Sequence, residues 1–142
     1  MSFVKIWIHA VWGTKNREPI LTSELRDKIC RHIRQNALAK GFYVDEVNGY
    51  TDHLHCLMSL RSDWSLAKQM QMVKGECAHW INKNVILQRK MEWADEYFAA
   101  SVSENKLPVI RNYIRFQEEH HRKLSFEEEY AYFLKTFESG QG

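Results

Sequence analysis

The chain has 142 residues, 44% hydrophobic and 13% aromatic, so it is expected to bury the core of one domain spanning residues 1–142. No apolar run approaches the ~18 residues of a membrane span and the N-terminus carries no secretory pattern, which reads as a cytoplasmic protein. Twenty basic and eighteen acidic residues leave +2 overall, but residues 1–40 carry eight basic and three acidic groups while residues 91–142 carry six and ten, so an anionic partner is expected at the N-terminal half.

Residues 3–13 alternate, with Val4, Ile6, Ile8 and Ala10 on one face and Phe3, Lys5, Trp7, His9 and Val11 on the other, which predicts a first strand. Lys5, Trp7 and His9, with Lys15 and Arg17 in the turn that follows, are candidates for contacting nucleic acid. The competing reading of Trp7 and His9 is a sheet face lying under a loop. Leu25, Ile29, Ile33 and Ala37 then mark a helix over about 22–40 that ends at Gly41. Its Arg26, Lys28, Arg31 and Arg34 are read as an exposed basic face.

Residues 42–47 are β-rich, and Asn48-Gly49 predicts a hairpin turn into the segment Asp52-His53-Leu54-His55-Cys56-Leu57-Met58. Strand side chains alternate, so His53 and His55 project the same way roughly 6 to 7 Å apart, a spacing that suits two ligands of one metal ion. Leu54, Cys56, Met58 and Leu60 point to the core side, which leaves the histidine face expected to be open. Taken alone a His-x-His pair also occurs by chance, so it needs a third ligand and a reacting group. Cys30, Cys56 and Cys77 are odd in number and irregularly spaced, which argues against both a disulfide framework and a zinc knuckle.

Leu66, Met70, Val73 and Cys77 repeat at helical spacing over about 65–84 and read as a core stripe. A short β-prone segment at 97–103 follows, then a helix from about Pro108 carrying Tyr113, Gln117, His121 and Leu124 on one stripe, and a last helix from Phe126 to Phe137 behind a Ser125/Glu128 capping box. The order is that of an α+β, ferredoxin-like βαββαβ domain with one antiparallel sheet, helices on one face and extra C-terminal helices. The oxygen of Gln117 is suited to act as a third, neutral metal ligand beside the histidines, and Tyr113 is a candidate nucleophile beside the ion. A tyrosine on such a stripe also reads as a packed core residue.

His53-Leu54-His55, Tyr97 to Ser103, and Tyr113-Ile114-Arg115-Phe116-Gln117 together resemble the single-tyrosine transposases of the smallest bacterial insertion sequences, whose signature the REP-associated tyrosine transposases share. Ile8-His9-Ala10-Val11-Trp12-Gly13-Thr14-Lys15 and Met72-Val73-Lys74-Gly75 are also similar to that family, whereas Phe116 stands where its members more often have Asn. The resemblance implies that His53, His55 and Gln117 bind Mg2+ or Mn2+. It also implies that Tyr113 attacks a phosphodiester of single-stranded, hairpin-bearing DNA through a covalent 5′-phosphotyrosine, and that the protein works as a homodimer whose tyrosine helix acts in cis or in trans. Two other readings stay open: a non-catalytic single-stranded nucleic-acid binding module on the same sheet, and a metal-dependent phosphodiesterase that uses water and does not need Tyr113.

Overall fold

The computed structural model describes residues 3–85, 87, 89–121 and 124–138. Strand β1 (Trp7–Thr14) leads through a 3-10 turn at Lys15–Arg17 to helix α1 (Ser23–Ala39), followed by β2 (Val44–Gly49), β3 (His53–Ser59), α2 (Leu66–Asn84) and β4 (Trp93–Val102). After a 3-10 turn at Glu104–Lys106 come α3 (Leu107–Arg115), α4 (Gln117–His121) and α5 (Phe126–Glu138). The strands form one antiparallel sheet in the order β2-β3-β1-β4, the ferredoxin-like arrangement, with β3 and β1 at its centre. Among the described residues no helix is long and apolar enough to cross a membrane.

Local chemistry sets the helix ends. Thr22 caps α1 by accepting from the Leu25 amide and Ser65 caps α2 by accepting from the Lys68 amide, each satisfying a donor the helix cannot. Pro108 lies in the first turn of α3, where its missing N–H costs nothing. Ile8, Ala10 and Trp12 of β1 and Leu54, Cys56 and Met58 of β3 face α1 and α2, packing with Ile29, Ile33, Met70, Val73, Cys77 and Ile81 in the main core. On the other face Trp7 and Leu57 pack with Leu107 and Ile114 of α3 in a second, smaller core.

That second face is where the structure departs from the sequence reading. The histidine face of the sheet is not open: α3, α4 and α5 cover it, and His53 and His55 are fully buried. Trp7 and His9, expected on an exposed platform, are only 8% and 4% exposed for the same reason. The helix expected to run unbroken from Pro108 breaks at Phe116 (φ −104°, ψ 35°), and α4 starts at Gln117. β1 begins at Trp7, four residues later than its alternation suggested, and β4 is longer than the segment 97–103, starting at Trp93.

Two glycines are dictated by close approach. Gly49 lies at the end of β2, so the hairpin turn is formed by Tyr50 to Asp52 and not by Asn48-Gly49. A Cβ at Gly49 would collide with the His53 carbonyl oxygen and with Leu54, so a side chain there would push the first histidine out of place. At Gly13 an added Cβ would meet the Phe126 ring at 2.7 Å, because α5 lies directly on β1 there.

Half of the basic face expected on α1 is spent inside the molecule, while Lys28 and Arg31 are exposed as expected. Arg26 is 5% exposed, donating to the Leu21 carbonyl at 2.8 Å and to Glu118 of α4 at 2.6 Å. Arg34 donates to the Val44 carbonyl and to Glu46 of β2. Arg111 of α3 forms a two-pronged pair with Asp45 of β2, at 2.6 and 2.8 Å, so the helix bearing Tyr113 is tied to the sheet edge by charge as well as by packing.

Candidate metal centre and nucleophile

β3 delivers His53 and His55 to one face because they are two residues apart, and β1 delivers His9 to the same face through the antiparallel register His9 to Leu57 and Val11 to His55. α5 brings Glu129 onto them. One carboxylate oxygen, Oε1, lies 2.9 Å from His55 Nε2, 3.3 Å from His53 Nε2 and 3.4 Å from His121 Nε2. The other, Oε2, accepts a short hydrogen bond from the Tyr113 hydroxyl. Gln117 Oε1 is 3.3 Å from His53 Nε2 and 3.2 Å from His121 Nε2. Tyr113, Gln117, His53 and His55, all singled out in the sequence, are thus within one side chain of each other in a single chain.

His53, His55 and Glu129 each offer a donor atom, and the three lie within 4.8 Å of one another. Separations of 2.9 to 3.3 Å are the size expected between neighbouring donors whose bonds to one divalent ion are about 2.1 Å long. Two imidazoles and a carboxylate can therefore hold a metal ion. The donor set suits several divalent metals, since imidazole and carboxylate oxygen span the range from zinc to manganese and magnesium.

Glu129 is the residue the sequence reading missed, together with His121 and Asp52. Glu129 contacts His53 and His121, Asp52 Oδ1 is 2.8 Å from His53 Nδ1, Phe126 stacks on the His53 ring at 4.1 Å, and Tyr50 stacks on His121 at 5.1 Å. Arg17, with a left-handed backbone (φ 55°), sets its guanidinium 4.6 Å from the Phe126 ring, and Lys15 pairs with Glu92 at 2.9 Å. Lys5 lies over Trp7 at 5.6 Å. Of the five residues expected to meet nucleic acid, Lys5, Lys15 and Arg17 reach the surface and Trp7 and His9 do not.

The electrostatics follow from burial and from Glu129. Burial lowers His9 to about 3 and His55 to about 4, so both rings are neutral at physiological pH. For His53 burial acts in the same direction, but hydrogen bonds to Asp52 and Glu129 outweigh it and raise its pKa. Burial opposes the charge on Glu129, yet hydrogen bonds from His121, His53 and His55 hold its carboxyl far below the usual range. Burial and the adjoining carboxylate push Tyr113 well above an ordinary phenol.

These directions set the acid response of the metal-free protein. His9 and His55 are depressed in the fold, so their contribution is complete above the unfolded value of 6.5 and is lost as pH falls toward about 3 and about 4, respectively. His53 is raised, so its contribution is complete below 6.5 and is lost only as pH rises through its folded value. In chelator-treated protein the melting temperature should therefore fall from pH 6.5 to pH 5; a flat melting temperature over that window would show that the two rings are not buried neutral.

A family model described as transposase, IS200-like, matches residues 2–117. The chain is 27% identical over 114 residues to the ISDra2 transposase TnpA of Deinococcus radiodurans, covering 77% of this chain and 81% of that one. Two solved structures share the fold. One is a Deinococcus radiodurans R1 transposase (TM-score 0.65, 23% identity, 82% of this chain and 93% of that one). The other is a REP-associated tyrosine transposase bound to a REP hairpin (TM-score 0.59, 17% identity, 85% and 72%). The matched family region takes in His53, His55, Tyr113 and Gln117 and stops short of Glu129, and on this match the chain belongs to the IS200-like transposase family.

Proposed function

We propose that this transposase cuts and rejoins single-stranded DNA, with Tyr113 as the nucleophile and a divalent ion, Mg2+ or Mn2+, held by His53, His55 and Gln117 together with Glu129. The observation that carries the reading is the position of Glu129, whose two oxygens touch the histidine cluster on one side and the Tyr113 hydroxyl on the other. The phenol oxygen is thereby kept beside the metal donors.

In the reaction the Tyr113 oxygen attacks phosphorus and the phosphorus–O3′ bond breaks, leaving a free 3′-hydroxyl on one side and a 5′-phosphotyrosine on the other. The covalent link conserves the energy of the broken bond, so a second 3′-hydroxyl can displace Tyr113 and seal the new junction without ATP. The bound ion supplies polarisation of a phosphoryl oxygen and screening of its charge. His53 and His55 would hold the ion through Nε2, and Gln117 would contribute a neutral oxygen that adds no negative charge beside the phosphate. Because the cluster is buried beneath α5, entry of a phosphodiester requires that helix to shift.

Hairpin-bearing single-stranded DNA is the partner this reading favours, since the REP-associated relative is bound to a REP hairpin and the chain carries surface cations at Lys5, Lys15 and Arg17. The covered sheet face argues against the passive binding module, which would need aromatic side chains on an open sheet. Joining two ends needs two sites, so a cytoplasmic homodimer is proposed. Within one chain Tyr113 lies in cis, its ring 5.6 Å from that of His55, and a trans arrangement would pivot at residues 104–108. A sedimentation run showing only monomer at micromolar concentration would rule the dimer out. The activity itself is tested by incubating the protein with labelled single strands from the DNA flanking its gene: cleavage should appear with Mn2+ or Mg2+ and vanish with chelator. Equal cleavage in chelator would reject the metal-dependent mechanism.

A further inference from the structure

Both histidines of the proposed metal pair have their second ring nitrogen engaged, but by partners of different chemistry. A histidine binds a metal through one nitrogen only when the hydrogen is on the other, so the partner of the outer nitrogen selects the tautomer. For His53 that partner is the Asp52 carboxylate, 2.8 Å from Nδ1, which can only accept. For His55 it is another imidazole, with His9 Nε2 2.9 Å from His55 Nδ1, the ring centroids 5.2 Å apart and the ring planes inclined by 25°, an edge-to-edge arrangement that suits a hydrogen bond.

A hydrogen bond between two neutral imidazoles needs one N–H and one lone pair. If His9 Nε2 carried the hydrogen, His55 Nδ1 would accept it, His55 would be protonated at Nε2, and that nitrogen could bind no cation. In this structure Glu129 can only accept, so His55 Nε2, 2.9 Å away, carries the hydrogen and His55 Nδ1 accepts from His9 Nε2. For His55 Nε2 to bind a cation both rings must change tautomer, with no net gain or loss of protons, so that His55 Nδ1 carries the hydrogen and His9 presents a bare Nε2. We infer that His9 is a positioning residue of the metal centre: its imidazole can reverse the direction of this hydrogen bond, so that when an ion takes the place of the His55 Nε2 hydrogen, His9 accepts from His55 Nδ1 and holds His55 in the ligand tautomer. The inference rests on the reading of His53 and His55 as ligands.

The placement of His9 fits that task. It is 4% exposed on a central strand, fixed by the ladder to β3, so its ring has little freedom to turn away. Its neutrality also matters. A second carboxylate in its place would add negative charge at a centre that must receive a phosphodiester, whereas an imidazole orients His55 without that charge. The centre thus pairs one ligand with a charged orienting group and the other with a neutral one.

The test is Mn2+ affinity of the full chain, read from the free-ion electron paramagnetic resonance signal, for wild type, His55→Ala, His9→Leu and His9→Gln, with circular dichroism as a check on folding. The Gln side chain keeps an acceptor oxygen near the position of His9 Nε2 and Leu does not. Wild type should bind, His55→Ala should not, His9→Leu should bind about 10- to 100-fold more weakly than wild type, and His9→Gln should stay within a few-fold of it. Equal affinities for the Leu and Gln variants, both intact or both impaired, would overturn the role of His9 while leaving the ligand assignment standing. A wild type that binds no Mn2+, or a His55→Ala protein that binds as well as wild type, would overturn the ligand assignment and the inference with it. Should the His9 variants fail to fold, nitrogen-15 NMR of the Mg2+-loaded wild type decides the point. A hydrogen on His55 Nδ1 supports the inference, and one on His55 Nε2 overturns it.

Discussion

Tyr113→Phe should abolish the covalent protein–DNA adduct, reducing it to below about one part in a thousand, while Mn2+ affinity and the fold are retained. The substitution removes one oxygen and keeps the ring, which packs against the small core of Trp7, Leu57, Leu107 and Ile114. The lost hydroxyl releases Glu129 Oε2 from its short hydrogen bond, but Oε1 keeps its histidine partners. The variant should therefore fail at the chemical step alone. Adduct formation at an undiminished level would remove Tyr113 from the mechanism and revive the hydrolytic reading, in which water is the nucleophile.

His53→Ala and His55→Ala should each eliminate cleavage and detectable Mn2+ binding, the second of the two largest effects. Both rings are fully buried, so these variants act on structure too. Removing His53 takes away the ring on which Phe126 stacks, and removing His55 takes away the shortest of the histidine contacts to Glu129. In either case α5 loses part of its anchorage, and limited proteolysis should cut residues 126–138 sooner than in wild type. Gln117→Ala should be milder, because a neutral oxygen contributes less binding energy to a divalent ion than an imidazole or a carboxylate. If both histidine variants cut DNA at the wild-type rate, the catalytic centre lies elsewhere.

The sheet and the two helices behind it were legible because their patterns are local. Alternation in β1 and β3, the 3.6-residue stripes of α1 and α2, and the order of elements admit few other arrangements. The face shared by the His-x-His pair was legible for the same reason, whereas Tyr113 and Gln117 were read as one helical stripe that in fact breaks at Phe116. What covers the histidine face depends on tertiary packing. Glu129 ends the acidic run Glu127-Glu128-Glu129 in the first turn of α5, where the helix dipole favours acids and a solvated role is the simplest reading. The available clue was its position: three residues after Phe126 and one before Tyr130, it falls on the apolar side of that helix, where a carboxylate needs partners.

Other misses have similar causes. Arg26 was counted as exposed because its neighbours Lys28 and Arg31 are, although it is one residue from Leu25 and faces Glu118, a partner 92 positions away. The start of β4 was hidden by Asp95-Glu96, acids tolerated on an edge strand whose side chains there point to solvent. The break at Phe116 follows neither Gly nor Pro, so nothing in the composition announced it.

The central claim, that Tyr113 is the nucleophile beside the His53/His55 centre, is tested most directly by trapping the adduct on single-stranded DNA in Mn2+, digesting the protein and locating the attached nucleotide by mass spectrometry. The expected result is a 5′-phosphate ester on Tyr113 alone, absent in chelator. An ester on Tyr97, Tyr130 or any other residue, or cleavage of the strand with no protein-linked DNA, would contradict it.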